Sequence, residues 1–348
     1  PRPASQRAAA FILTAAMLTT LAAPAFADTW CIENGNITVK AGDTEGTNKV
    51  SQGSIIDRED TNTIITNSDK DTASSNTVTI DAGNDKVEVT LDNVNIKAGS
   101  GSALTSKGDV TLTLKGDNHL TGGISDTGNY GRNGIASTGS LTISGGSTVT
   151  ANGGNGGNVS GDGISSNGSV TISGGTVKAA GGDSKDGYGG DGIRSDGGVT
   201  ISGNTVNAAG GSGGKVGGYG ICSFDRVAIS GGTVTANGGD GSSGGDGIRS
   251  GDIDLSGSLE LTAKAGSPNG KALSQRGNEL DLDDIKDKLG PGAKVTATDA
   301  NGETKQVSIP RPVEPEEPSS SSDGGSATPS TPASPLPGLT VTDKSGAV

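Results

Sequence analysis

The sequence predicts an all-β chain wound into a single-stranded right-handed parallel β-helix of about eight coils, closed at its start by an N-terminal cap. Three observations carry that reading. A short phrase returns at near-constant spacing: Asn133-Gly134-Ile135, Asp162-Gly163-Ile164, Asp191-Gly192-Ile193, Tyr219-Gly220-Ile221 and Asp246-Gly247-Ile248, with the isoleucines 29, 29, 28 and 27 residues apart. Each phrase is followed by a second strand signal, Leu141 to Ile143, Val170 to Ile172, Val199 to Ile201, Val227 to Ile229 and Ile253 to Leu255, and then by a third carrying Val149, Val177, Val206, Val234 and Leu261. Apolar residues make up only 30% of the chain and aromatics 2%, too little for a wide globular core, while 62 glycines supply corners. A unit of three very short strands cannot bury its apolar face alone and must stack on its neighbours. A β-sandwich of short strands is the alternative, but it needs no in-register identities every 27 to 29 residues.

Taken in order, residues 1–27 read as a signal peptide: Arg2 and Arg7 lead the apolar run Ala8 to Ala23, and Ala25-Phe26-Ala27 forms a small-residue cleavage site before Asp28. Residues 28–76 are polar and acidic, with strand signals only at Ile37 to Val39 and Thr63 to Ile65, and read as the N-terminal cap, which Trp30 is expected to plug. The helix proper spans 77–309, its first and last coils departing from the repeat. Residues 310–338, rich in Pro, Ser and Glu, read as an extended linker. Residues 339–348 read as the start of a truncated C-terminal segment. The expected location is outside the cell, with surface attachment through that missing part.

Without the leader, 24 basic residues face 39 acidic ones, a balance of −15. That argues against nucleic acid and anionic membrane surfaces as partners, and no run is long enough to favour membrane insertion. It suits neutral glycans and divalent cations. Cys31 and Cys222, far apart in sequence, leave room for at most one long-range disulfide.

Stacking turns each repeat position into a ladder. The residue after each repeated isoleucine points outward and reads Ala136, Ser165, Arg194, Cys222, Arg249; the next is always serine, which at a corner bonds the turn backbone. Arg194 and Arg249 either grip the carboxylates of an acidic sugar or form a solvated face. The loops carry Asp162, Asp183, Asp186, Asp191, Asp240 and Asp246 along one edge, a set that reads either as oxygen ligands for Ca²⁺ or as a solvated acidic edge. Tyr130, Tyr188 and Tyr219 lie on the same edge; their rings either stack on sugar faces or cover the loops locally. Tyr130 and Tyr188 are two coils apart, roughly 10 Å, about the length of a disaccharide.

No catalytic residue is assigned. His119 is the only histidine and has no evident partner for a nucleophilic triad, and two separated cysteines do not make a usual zinc site. Paired carboxylates for glycoside hydrolysis are available among the loop aspartates, but no pair stands out.

The run Val87 to Gly123, VEVTLDNVNIKAGSGSALTSKGDVTLTLKGDNHLTGG, followed by GIASTGSLTISGGSTVTANGG and its copies, resembles the bacterial secreted carbohydrate-binding domain-containing protein family. The resemblance covers about residues 28–305. It implies a right-handed parallel β-helix of the pectate-lyase kind, bound calcium, and affinity for cellulose-like or acidic (uronate) polysaccharide. The expected function is therefore that of an extracellular, monomeric, non-catalytic polysaccharide-binding protein organised by Ca²⁺. A Ca²⁺-dependent pectate or uronate lyase is the rival, with Lys185 and Arg194 near Asp186 and Asp191 as its only tempting group. A structural adhesin or surface spacer is the third reading.

Overall fold

In a computed structural model, residues 28–312 are described. The expected leader (1–27), nearly all of the Pro/Ser-rich segment and residues 339–348 lie outside them. The described residues form a parallel β-solenoid of about eight turns. Most of their strands are short, though Val78–Asp92, Leu104–Lys115, Ile221–Asn237 and Ile248–Lys264 run on through more than one ladder, and the only helical elements among them are two 3-10 helices, Ile32–Asn34 and Leu282–Lys288.

Three ladders run the length of the solenoid. The first pairs Val78, Leu104, Ile135, Ile164, Ile193, Ile221, Ile248 and Leu273 in parallel register. The second pairs Val87, Val110, Leu141, Val170, Val199, Val227 and Ile253. The third pairs Asn118, Val149, Val177, Val206, Val234, Leu261 and Val295. This is the register the repeat implies. Every apolar member of these ladders is buried, so each coil adds one thin slice to a continuous core.

The serine corner behaves as expected. Ser166 donates to the Gly139 carbonyl at 2.7 Å, Ser195 to Gly168 at 2.7 Å and Ser223 to Gly197 at 2.7 Å, each bond reaching back one coil. Ser106, at the start of the row, is buried with no partner for its hydroxyl among the described residues. Glycine before each isoleucine is required by close approach: a Cβ on Gly163 would lie 2.7 Å from both the Ala180 nitrogen and the Gly192 oxygen.

The loops hold a second ordered body. Gly161 donates to Gly154, Gly182 to Gly161, Gly190 to Gly182, Gly211 to Gly190, Gly218 to Gly211, Gly239 to Gly218 and Gly245 to Gly239, all at 2.8–2.9 Å. Outgoing and returning limbs of successive loops therefore alternate in one backbone lattice. A Cβ on Gly190 would lie 1.9 Å from the Gly161 carbonyl oxygen, so only glycine allows this spacing.

The N-terminal segment is more than a cap. Thr29–Cys31 pairs in parallel with Ile64–Thr66, which continues in parallel onto Val78–Asp92, while Ile37–Ala41 also joins that strand in parallel. Only Asn48–Gln52 and Ile55–Asp60 add antiparallel strands that end the stacking. Trp30 is buried there, its indole N–H donating to Asp60 at 2.8 Å. At the other end, antiparallel additions of Asn278–Glu279 and Thr304–Ser308 cover the last coil. Cys31 and Cys222 are both free thiols. No helix among the described residues is long and apolar enough to cross a membrane.

Candidate functional site

The glycine lattice presents its tip as a ladder of side chains. Parallel bridges join Tyr130 to Val159, Val159 to Tyr188, Tyr188 to Val216 and Val216 to Ser243. Tyr130, Val159 and Tyr188 are 51%, 41% and 49% exposed, so two rings flank an exposed aliphatic rung. Two coil steps separate the rings, about 10 Å. The backbone beneath is fully engaged: Gly131 N–H donates to the Val159 carbonyl at 2.8 Å, Ser160 to Tyr188 at 3.0 Å and Tyr188 to Asn158 at 2.8 Å. The Lys215 ammonium stands 5.9 Å from the centre of the Tyr188 ring. Beside this strip lies a shallow depression of about 500 Å³, lined by Ile124, Asn155, Asp183, Ser184, Lys185 and Ser212.

Tyr219 does not join the strip. Its ring is half-buried under Arg249, whose guanidinium lies 5.0 Å from the ring centre and donates to the Tyr219 hydroxyl at 2.6 Å. Arg194, Cys222 and Arg249 are successive outward rungs of the first ladder. Arg194 stacks on Phe224 at 5.3 Å and stands 4.0 Å from Asp196; Arg249 stands 3.9 Å from Asp246. Flanked by two arginines, Cys222 is buried although it faces outward. Burial, then the nearby Asp191 carboxyl, pushes its thiol up to about 12. Burial also raises the Tyr219 phenol.

The six aspartates do not form one metal site. Five of them lie on two ladders in which an Asx side chain accepts the backbone N–H one coil on. Asn133 accepts from Asp162, Asp162 from Asp191 and Asp191 from Tyr219, each at 2.7–2.8 Å, and Asp246 accepts from Lys271 at 2.8 Å. Asn155 accepts from Asp183, Asp183 from Ser212 and Asp240 from Ser267, again at 2.7–2.8 Å. Asp186 is exposed on the loop, apart from both ladders. Among the described residues no three acidic, histidine or cysteine side chains converge as a metal site would need. Five of the six aspartates expected to hold Ca²⁺ cap the backbone of the next coil. Asp162 and Asp191 are stacked one coil apart. Burial raises the Asp162 carboxyl, while burial and the Asp162 charge push Asp191 up to about 8.

The residues suggested for a lyase are likewise separated in role. Lys185 lines the depression by the strip, whereas Arg194 is stacked on Phe224, and among the described residues no ion pair joins Lys185 to Asp186. His119 is exposed on the third ladder, 3.6 Å from Asp117. The side chains that sequence reasoning missed are Val159, Val216 and Lys215. Val159 and Val216 stand five residues before Ile164 and Ile221, the same offset that singles out Tyr130 and Tyr188.

Searches against protein families, curated proteins and solved structures return no match for this chain.

Proposed function

We propose that this protein is a non-catalytic polysaccharide-binding protein that works outside the cell and holds a glycan chain across the loop tips, with the chain running along the solenoid axis. The observation that carries the reading is the in-register Tyr130, Val159, Tyr188 strip. Exposed rings with an apolar face suit the C–H face of a pyranose, and their separation of about 10 Å spans two sugar units of an extended chain. The lattice beneath makes the platform rigid before any ligand arrives, so little ordering entropy is lost on binding. Asn155, Asp183, Lys185 and Ser212 beside the strip offer donors and acceptors for sugar hydroxyls. Arg194 and Arg249, stacked on aromatic rings and still half-exposed, supply the acidic-sugar half of the reading through guanidinium contacts with uronate carboxylates.

The test is affinity electrophoresis and titration against soluble cellulose-like and uronate polysaccharides, with and without chelator. Y188A is expected to weaken binding roughly tenfold, the cost of one stacked ring, and Y130A/Y188A to abolish it. Binding is expected to survive chelation, because the carboxylates nearby are committed to backbone N–H groups. Retention of full affinity by Y130A/Y188A would overturn the assignment, and unsaturated product in the uronate samples would make the protein a lyase.

A further inference from the structure

The third ladder turns a flat face outward whose last column reads Asn152, Ala180, Ala209 and Asn237 in four successive coils. Where the side chain shrinks to alanine, the face sinks into a trough of about 210 Å³. Ala180 and Ala209 form its floor, Asn152 and Asn237 close its ends, and Lys178, Asn207 and Thr235 of the adjoining outward column line one side.

Several asparagines of this solenoid are spent on the backbone. Asn118 donates to the Lys115 and Thr148 carbonyls and accepts from Val94, Asn204 donates to Ile172 and Ser202, and Asn133 and Asn155 each accept from the coil above. Among the described residues the carboxamides of Asn152, Asn207 and Asn237 make no hydrogen bond, and Lys178 makes no ion pair. Four polar groups therefore surround a methyl floor with all of their bonding capacity free for a ligand.

We propose that this trough is a second saccharide site, which seats one pyranose ring of a neutral sugar. The two methyl groups, one coil step or about 4.8 Å apart, match the C–H face of a six-membered ring. A carboxamide offers one acceptor oxygen and two donor hydrogens, and so answers a pair of neighbouring hydroxyls, each of which both gives and takes a hydrogen bond. Lys178 adds a further donor, and no carboxylate stands on this stretch of the face to favour a cation. The trough shares no residue with the tyrosine strip; only the class of ligand rests on the polysaccharide reading. With both occupied, one molecule contacts a polysaccharide at two places, which raises avidity without a stronger contact at either.

The experiment is a titration of the full chain, labelled with ¹³C at alanine methyls, with methyl β-D-glucopyranoside and with cellohexaose. Saturable shifts at the Ala180 and Ala209 methyls are expected, unchanged in Y130A/Y188A and weakened about tenfold or more in N207A/N237A. Unmoved methyls in the wild type overturn the proposal, even where cellohexaose still binds through the strip. Equal affinity at these methyls in N207A/N237A overturns it as well. Loss of binding at the strip with shifts retained at the trough would sink the first site and leave the second standing. A180L/A209L fills the floor and serves as the second variant, followed by the ¹⁵N-labelled carboxamides of Asn152, Asn207 and Asn237: their shifts with methyl β-D-glucopyranoside, expected in the wild type, are expected to vanish while cellohexaose still binds at the tyrosines.

Discussion

Asp191 is buried, and its carboxylate oxygen accepts the Tyr219 N–H at 2.7 Å. An acceptor is needed at that place, but a charge is not, and the chain itself makes the point: Asn133 occupies the same rung two coils earlier and accepts the Asp162 N–H at 2.8 Å. Burial and the neighbouring Asp162 carboxyl raise the folded-state value of Asp191 from 3.8 to about 8. The folded protein therefore keeps a proton that the unfolded chain has released. Stability linked to this group is fully present below pH 3.8 and is lost as pH rises through about 8. D191N is expected to match the wild type near pH 4 and to exceed it above pH 8 by roughly 1–2 kcal/mol, a few degrees in melting temperature. Thermal melts of both proteins across that range check the sign; a variant less stable than the wild type at high pH would show that the charge is needed. Cys222 gives an independent residue-scale test. Its thiol, pushed up to about 12 and buried, is expected to resist iodoacetamide at neutral pH in the folded protein and to react on unfolding, as peptide mapping of alkylated protein would show.

The two Asx ladders are elements in their own right, and both break at the same coil. Where Asx stands in neighbouring coils, this coil places Ser212 on one ladder and Tyr219 on the other. Neither side chain accepts from the coil above, so the N–H groups of Asp240 and Asp246 are left without an acceptor among the described residues. Local rules give way at functional or strained positions. At Tyr219 there is a compensating contact, the hydroxyl bond and ring stack with Arg249. At Ser212 none is found, and its side chain is exposed at the rim of the depression. S212N restores the missing acceptor one coil below Asp240, and is expected to stabilise the fold by about 0.5–1 kcal/mol, the usual net value of one hydrogen bond. A denaturant midpoint that moves upward without a change in slope checks it. The glycine lattice beside these ladders shows why the repair must come from side chains: its backbone groups are already paired coil to coil.

Across the whole molecule, the three apolar ladders were legible because most coils write their inward residues as Ile, Val or Leu at a fixed offset. The pairing of Ile135 with Ile164 and Ile164 with Ile193 follows directly. Tyr130 and Tyr188 were legible for the same reason. The capping role of the aspartates was not, because Asp-Gly spells a metal ligand and a backbone cap alike, and the N–H that each one caps lies a full coil away. The glycine lattice was hidden too, since its bonds alternate between the outgoing and returning limbs of different loops. This nearest-neighbour construction has a consequence for the molecule as a unit. Excision of residues 193–220 joins Gly192 to Ile221 and removes one complete coil, the one in which both ladders break. Ile164 then meets Ile221, Val170 meets Val227 and Val177 meets Val234, apolar on apolar in every row. The side chains of Asp183 and Asp191 come to face the N–H groups of Asp240 and Asp246, so both ladders close. Stability in stacked repeats is a sum of coil and interface terms, and one internal coil costs little when its neighbours fit each other. The shortened protein is expected to fold cooperatively, with a melting temperature within several degrees of the parent. It is also expected to bind glycan through Tyr130, Val159 and Tyr188, all of which it keeps. Circular dichroism melts and affinity electrophoresis decide: an unfolded product would show that the coils are not interchangeable, whereas a folded product without binding would move the glycan contact to Arg194, Tyr219 and the rest of the excised coil.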